Sequence, residues 1–179
     1  MNGRPSVPQQ ISLFGERERT PSSESERRQG LARRPSALRL AVLGSGSRGN
    51  SVLVESDGRR ILLDAGFACR ELERRLRLLG VEASSLEAVI LTHDHNDHCR
   101  GTLQLAKRHG LPVYATGGTL ASKRLRELRT GREIRADRPF EVGGLEIEAF
   151  AIPHDAREPV GLVVQDEDGR RVGLVAEVA

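Results

Sequence analysis

Aromatic side chains are scarce in this chain, which has four Phe, one Tyr and no Trp among 179 residues. Its interior must therefore be assembled from Leu, Val, Ile and Ala, and a hydrophobic share of 37% is enough for one ordinary domain. Cysteine is equally sparse. Cys69 and Cys99 form no disulfide framework, which points to a reducing compartment. Long apolar runs are missing too: the first 30 residues lack the core of a secretory signal, and no later stretch approaches a membrane span. The expectation is a cytoplasmic protein with no membrane partner. Lysine is confined to Lys107 and Lys123 among 28 basic residues. That bias fits a GC-rich genome and carries little chemistry of its own.

The charge excess is local. Seven arginines against four glutamates in residues 1–37 account for the whole formal charge of +3, and the remaining chain balances at 21 basic and 21 acidic residues. Overall charge thus predicts no polyanion partner, although it leaves room for a local basic patch. Residues 1–37 are rich in Pro, Ser, Arg, Glu and Gln, and they cannot bury enough surface to offset ordering entropy. They are expected to form a disordered tail, either a partner-binding arm or a product of an upstream start codon.

From Leu38 the texture changes, and residues 38–179 read as the folded domain. Short apolar runs predict strands over 38–43, 51–56, 60–64, 88–92, 112–115, 140–142, 145–152, 160–165 and 171–175. Asp57-Gly58 marks a hairpin between the second and third of these. Helical spacing predicts helices over 70–79, 103–109 and 119–128. Strands first paired by a hairpin and then alternating with helices indicate an α/β fold of mixed sheets covered by helices.

The segment Thr92-His93-Asp94-His95-Asn96-Asp97-His98 follows an apolar strand and holds three of the five histidines of the chain. His93 and His95 can curve around one ion, and Asp97 and His98 can serve a neighbouring one. Imidazole and carboxylate are the ligands that hold zinc, manganese or iron without thiolate. Cys99 abuts this cluster but reads as a core residue, Cys69 as a small helix-start residue. His109, before Gly110, reads as a structural cation at a helix end.

This segment resembles the His-x-His-x-Asp-His signature of the metallo-β-lactamase superfamily. Leu62-Leu63-Asp64-Ala65-Gly66 resembles its first motif and Pro153-His154-Asp155-Ala156 its third. The opening Gly44-Ser45-Gly46-Ser47-Arg48-Gly49-Asn50, with Glu158-Pro159-Val160-Gly161, is similar to the YycJ/WalJ-like branch, bacterial hydrolases associated with exonuclease activity on DNA. The resemblance implies an αββα sandwich, of which this chain is the N-terminal portion. It also implies two divalent metal ions, zinc foremost and manganese as the alternative, with DNA as substrate. His93, His95 and His154 would hold the first ion and Asp97 and His98 the second. Asp64 would fix a ligand or the attacking water. Ser45, Ser47 and Asn50 would contact substrate, or simply shape a tight turn.

The fourth motif departs from the pattern. Where the branch has Thr-Asp-Leu-Gly, this chain has Ala176-Glu177-Val178-Ala179. Glu177 either bridges the two ions with a longer side chain or belongs to an unrelated ending. The fifth motif, a histidine for the second ion, has no counterpart, so the chain is expected to be a fragment of a longer enzyme. The expected chemistry is metal-assisted hydrolysis of a DNA phosphodiester. The alternatives are a small phosphodiester, thioester or lactone as substrate, or a catalytically incomplete fragment binding one ion at most.

Overall fold

The computed structural model describes residues 37–176. The chain begins with β1 (Arg39–Gly44), β2 (Ser51–Ser56) and β3 (Arg59–Leu63), paired antiparallel in sequence order. The turn between β2 and β3 works because Asp57 and Gly58 both take the left-handed conformation, with φ of 50° and 77°. Asp-Gly tolerates that geometry, and its twist matches that of the flanking strands.

After the hairpin the chain changes habit. Helix α1 (Cys69–Leu78) leads to β4 (Ala88–Ile90), which lies parallel to β3. The short α2 (Asn96–Cys99) and the longer α3 (Thr102–His109) lead to β5 (Val113–Thr116), parallel to β4. The helix expected over 119–128 is not a single helix. It is the short α4 (Gly117–Leu120) followed by a run of turns, with Leu125 N–H donating to the Ser122 carbonyl and Leu128 N–H to that of Leu125. Leu120, Leu125 and Leu128 all pack on the core. The like charges of Lys123, Arg126 and Arg129 at i, i+3 oppose one continuous helix here. A strand that the sequence pattern does not predict, β6 (Gly131–Ile134), then completes the sheet in parallel with β5.

The first sheet has the order β1-β2-β3-β4-β5-β6. The second contains β7 (Phe140–Val142), β8 (Leu145–Ala151), β9 (Val160–Gln165) and β10 (Arg171–Leu174), in the antiparallel order β10-β9-β8-β7.

Side-chain alternation then makes two cores from one sheet. Leu53, Leu62 and Val89 face α1 and α3, meeting Leu72, Leu76 and Leu105. Their neighbours Val54, Ile61, Leu63 and Ile90 face the second sheet, meeting Ile147, Leu162 and Val164. Leu72 and Leu76, one turn apart and fully buried, dock α1. Truncating either to Ala would cost about 2–5 kcal/mol. The described residues thus form a helix layer and two sheets. The other face of β8 presents Glu146, Glu148 and Phe150, so the outer helix layer of an αββα sandwich does not come from these residues.

No helix among the described residues is long and apolar enough to cross a membrane. Strands β3 and β4 run parallel, with Leu63 beside Ile90. Their C-terminal ends therefore open at one edge, where an α/β sheet characteristically receives ligands.

Candidate metal centre

Asp64 leaves the end of β3 with a φ of 60°. Its N–H donates to the Ile90 carbonyl at 2.9 Å, and its own carbonyl accepts from the Ser51 hydroxyl at 2.7 Å. These bonds hold a left-handed residue that an unbranched polar side chain tolerates better than most. The next residues approach another backbone closely. Ala65 N–H donates to the His98 carbonyl at 2.7 Å, and Gly66 N–H to the Asn50 carbonyl at 3.0 Å. A Cβ on Gly66 would lie 1.6 Å from the Asp97 carbonyl oxygen, so this position admits glycine alone.

The Asp64 carboxylate is buried and fully engaged. It accepts from the Thr92 N–H at 2.8 Å and from the Thr92 hydroxyl at 2.9 Å, and it lies 2.8 Å from His98 Nδ1. A carboxylate only accepts, so His98 Nδ1 carries the proton and Nε2 keeps a lone pair. The same reasoning extends through Thr92. Its hydroxyl proton goes to Asp64, so its oxygen accepts from His93 Nδ1 at 2.9 Å and leaves His93 Nε2 with a lone pair. One carboxylate therefore sets the tautomers of two imidazoles.

His93 Nε2 is buried without a hydrogen-bond partner. Burial, then the neighbouring rings of His98, His95 and His154, push the His93 pKa from its ordinary 6.5 down to about 3. The ring is thus neutral near pH 7. A buried basic nitrogen with no partner is costly unless something accepts its lone pair. His95 and His154 supply the rest of the arrangement. His154 Nε2 and His95 Nδ1 face each other at 3.2 Å, and the nitrogens of His93, His95 and His154 all lie within 4.8 Å of one another. Three imidazoles converging around an orphaned nitrogen are a donor set that fits a divalent ion, zinc in particular.

Beside this triad is a second corner. Asp97 Oδ2 lies 3.7 Å from His98 Nε2. The Asn50 amide reaches both, at 3.1 Å from Asp97 Oδ2 and 3.0 Å from His98 Nε2. Asn50 Oδ1 in turn accepts from Gly46 N–H at 2.8 Å, which ties the glycine-rich loop to the corner. Asn50 is thus turned toward the expected second-ion residues, whereas Ser45 and Ser47 line an open pocket next to it. Glu177 lies outside the described residues.

Two residues that the sequence motifs leave without a role position the site. Thr92 is the link between Asp64 and His93, and its carbonyl accepts from Val160 N–H at 3.0 Å, joining β9 to the end of β4. Asp94 accepts from Arg157 N–H at 3.1 Å and so pins the loop bearing His154 to the loop bearing His93 and His95. A short polar residue placed beside a ligand is the available sequence signal for each. Cys99 is buried in the helix-side core with its thiol donating to the Asp94 carbonyl, and burial pushes its pKa up to about 11. It takes no part in the triad. Cys69 is a buried free thiol, and His109 lies 2.9 Å from Glu73 on the helix layer.

A mixed α/β sandwich with imidazoles at the strand ends defines a metallohydrolase-like class, and comparison with known proteins narrows it. The model of the Beta-lactamase superfamily domain matches residues 59–178, and the chain belongs to this superfamily in its metallo-β-lactamase form. It is 30% identical over 148 residues to exodeoxyribonuclease YycJ of Bacillus anthracis, covering 78% of this chain and 54% of that protein. It is also 30% identical over 128 residues to exodeoxyribonuclease WalJ of Streptococcus pneumoniae, covering 68% of this chain and 48% of that one. The chain spans about half the length of the curated relatives it matches. Among solved structures, a metallo-β-lactamase of Cronobacter sakazakii with a HARLDQ motif superimposes with a TM-score of 0.67 at 19% identity. That match covers 78% of this chain and 62% of the other, a likeness of fold.

Proposed function

We propose that this chain carries the metal-dependent hydrolytic centre of a phosphodiesterase that degrades DNA as an exonuclease. The observation that carries the reading is the convergence of His93, His95 and His154 beside the Asp97 and His98 corner. The names of the YycJ and WalJ relatives support DNA as the substrate. In this reading the triad holds one divalent ion, zinc or manganese, and Asp97 and His98 contribute to a second. A cytoplasmic setting belongs to the same reading, supported by the two buried free thiols.

When bound, such ions supply the Lewis acidity that activates water and neutralises charge on phosphoryl oxygens. The chain's own residues do the rest. Asp64 and Thr92 hold His93 and His98 in the tautomers that present Nε2 inward. Asp64 acts here as a positioning residue, its oxygens engaged with the Thr92 N–H and hydroxyl and with His98. Asp97, half-buried at the rim, stands between the triad and the pocket where a strand can enter. The arrangement is preorganised, so little rearrangement is needed when charge develops.

The test is hydrolysis of end-labelled DNA by the purified chain with added Mn²⁺ or Zn²⁺. Stepwise release of mononucleotides that His95→Ala abolishes is the expected result. Activity that survives His95→Ala would remove the triad from the mechanism. Hydrolysis of a small chromogenic phosphodiester without any action on DNA would move the substrate assignment to small molecules.

A further inference from the structure

The positive charge of the body is balanced overall, yet the fold gathers three arginines around one opening. Arg48 comes from the glycine-rich loop, Arg75 from α1 and Arg100 from the residue after α2. Together with Asn96 and Asp97 they line a pocket of about 640 Å³. That size suits a nucleotide unit. Asp97 is shared between this pocket and the corner that holds His98, so the pocket is continuous with the candidate metal centre.

The three guanidinium groups are not equivalent. Arg75 is held in place: it lies 4.1 Å over the Phe67 ring, donates to Glu71 Oε1 at 2.7 Å, and donates to the Leu43 carbonyl. It forms an ordered basic wall. Arg48 and Arg100 are exposed, and among the described residues neither has an ion-pair partner. The glycine-rich loop packs tightly on Phe67, since a Cβ on Gly44 would lie 2.4 Å and one on Gly49 2.7 Å from that ring, and Ser45 and Ser47 line the same pocket. Planar guanidinium forks with nearby hydroxyls are the chemistry that recognises phosphate.

We infer that this pocket binds a phosphate of the nucleic-acid strand next to the scissile phosphodiester, with Arg48 and Arg100 as its direct contacts and Arg75 as its oriented wall. The inference rests on the nuclease reading and names the part of the site that holds the strand. It gives the protein affinity for a polyanion without any global basic bias. Internal and terminal phosphates share this chemistry.

The test is binding of a fluorescent single-stranded oligonucleotide to the full chain in the presence of a chelator, so that no cleavage intervenes. Affinity is measured across a salt series for Arg48→Ala/Arg100→Ala and for Lys107→Ala/Arg129→Ala, which removes the same charge from exposed residues elsewhere. The pocket variant is expected to bind about ten- to a hundredfold more weakly and to lower the salt slope by about 0.7, for the one phosphate no longer neutralised. The control variant is expected to bind nearly as the parent does. Equal losses in both variants, or none in the pocket variant, would overturn the proposal. Oligonucleotides with and without a terminal phosphate tell which phosphate is held: a loss confined to the phosphorylated probe assigns the terminus, and equal loss assigns the backbone. Hydrolysis of DNA by the parent is followed separately. A chain that binds through Arg48 and Arg100 but never cleaves would refute the nuclease reading and leave the pocket standing. One that cleaves with unaltered binding in the pocket variant would do the reverse.

Discussion

Asp64 sets the tautomer of His98 directly, its Oδ2 lying 2.8 Å from His98 Nδ1. Through the Thr92 hydroxyl the same carboxylate governs His93, which makes it the most connected polar side chain of the site. Asp64→Asn keeps the size of the residue and tolerates its positive φ, but it can no longer accept from both partners at once. Metal affinity is expected to fall about ten- to a hundredfold, as read by competition with a chromogenic chelator. An unchanged affinity would show that the ligands orient themselves without Asp64.

Stability of the metal-free chain should depend on pH through His93. Its pKa is pushed down to about 3 in the folded state from an ordinary 6.5. Between those values the unfolded chain binds more protons than the folded one, so stability rises with pH across the window and is lost as pH falls from 6.5 toward 3. Each pH unit is worth at most about 1.4 kcal/mol from this residue. Urea denaturation of the metal-free protein at about pH 7.5 and about pH 5, on either side of the ordinary histidine pKa, measures the slope. His93→Gln is expected to flatten it. Equal slopes in the parent and variant would mean that other groups govern the acid limb.

Gly66 packs backbone on backbone, and no side-chain rearrangement can relieve a Cβ 1.6 Å from the Asp97 carbonyl oxygen. Gly66→Ala is expected to cost about 3 kcal/mol or more and to displace Asp97 from the site. Chemical denaturation measures the first effect and metal content the second. A variant with parent-like stability would show that the 97–101 segment is softer than its hydrogen bonds indicate.

Asp94 ties the two ligand-bearing loops together through Arg157 N–H. Asp94→Ala leaves the three histidines in the chain but removes that tie. Metal affinity is expected to drop roughly tenfold with little change in the melting temperature, since the bond lies at the surface of the site. Isothermal titration with Zn²⁺ separates this from a global loss of stability.

Residue order alone makes much of the fold and site legible. The hairpin at Asp57-Gly58 follows from two residues that accept positive φ, and the ligand loop follows from imidazoles set directly after an apolar strand. The expected helix over 119–128 gives way to turns, in which Leu120, Leu125 and Leu128 still reach the core while Lys123, Arg126 and Arg129 set like charges three residues apart. β6 escapes the sequence pattern because Gly131–Ile134 is mostly polar and exposed, with Ile134 alone buried. Its strand state comes from the neighbouring β5 and not from its own pattern. The arginine pocket is invisible for another reason. Arg48, Arg75 and Arg100 lie far apart in sequence, each ordinary in an arginine-rich chain, and only the fold makes them neighbours.

The central claim is that His93, His95 and His154 form a metal site. Elemental analysis of purified, folded protein that has met no chelator tests it most directly, beside His93→Ala and His154→Ala prepared in the same way. At least one divalent ion per chain in the parent, and its loss in both variants, is the predicted result. Metal-free parent protein, or variants that keep the ion, would contradict it.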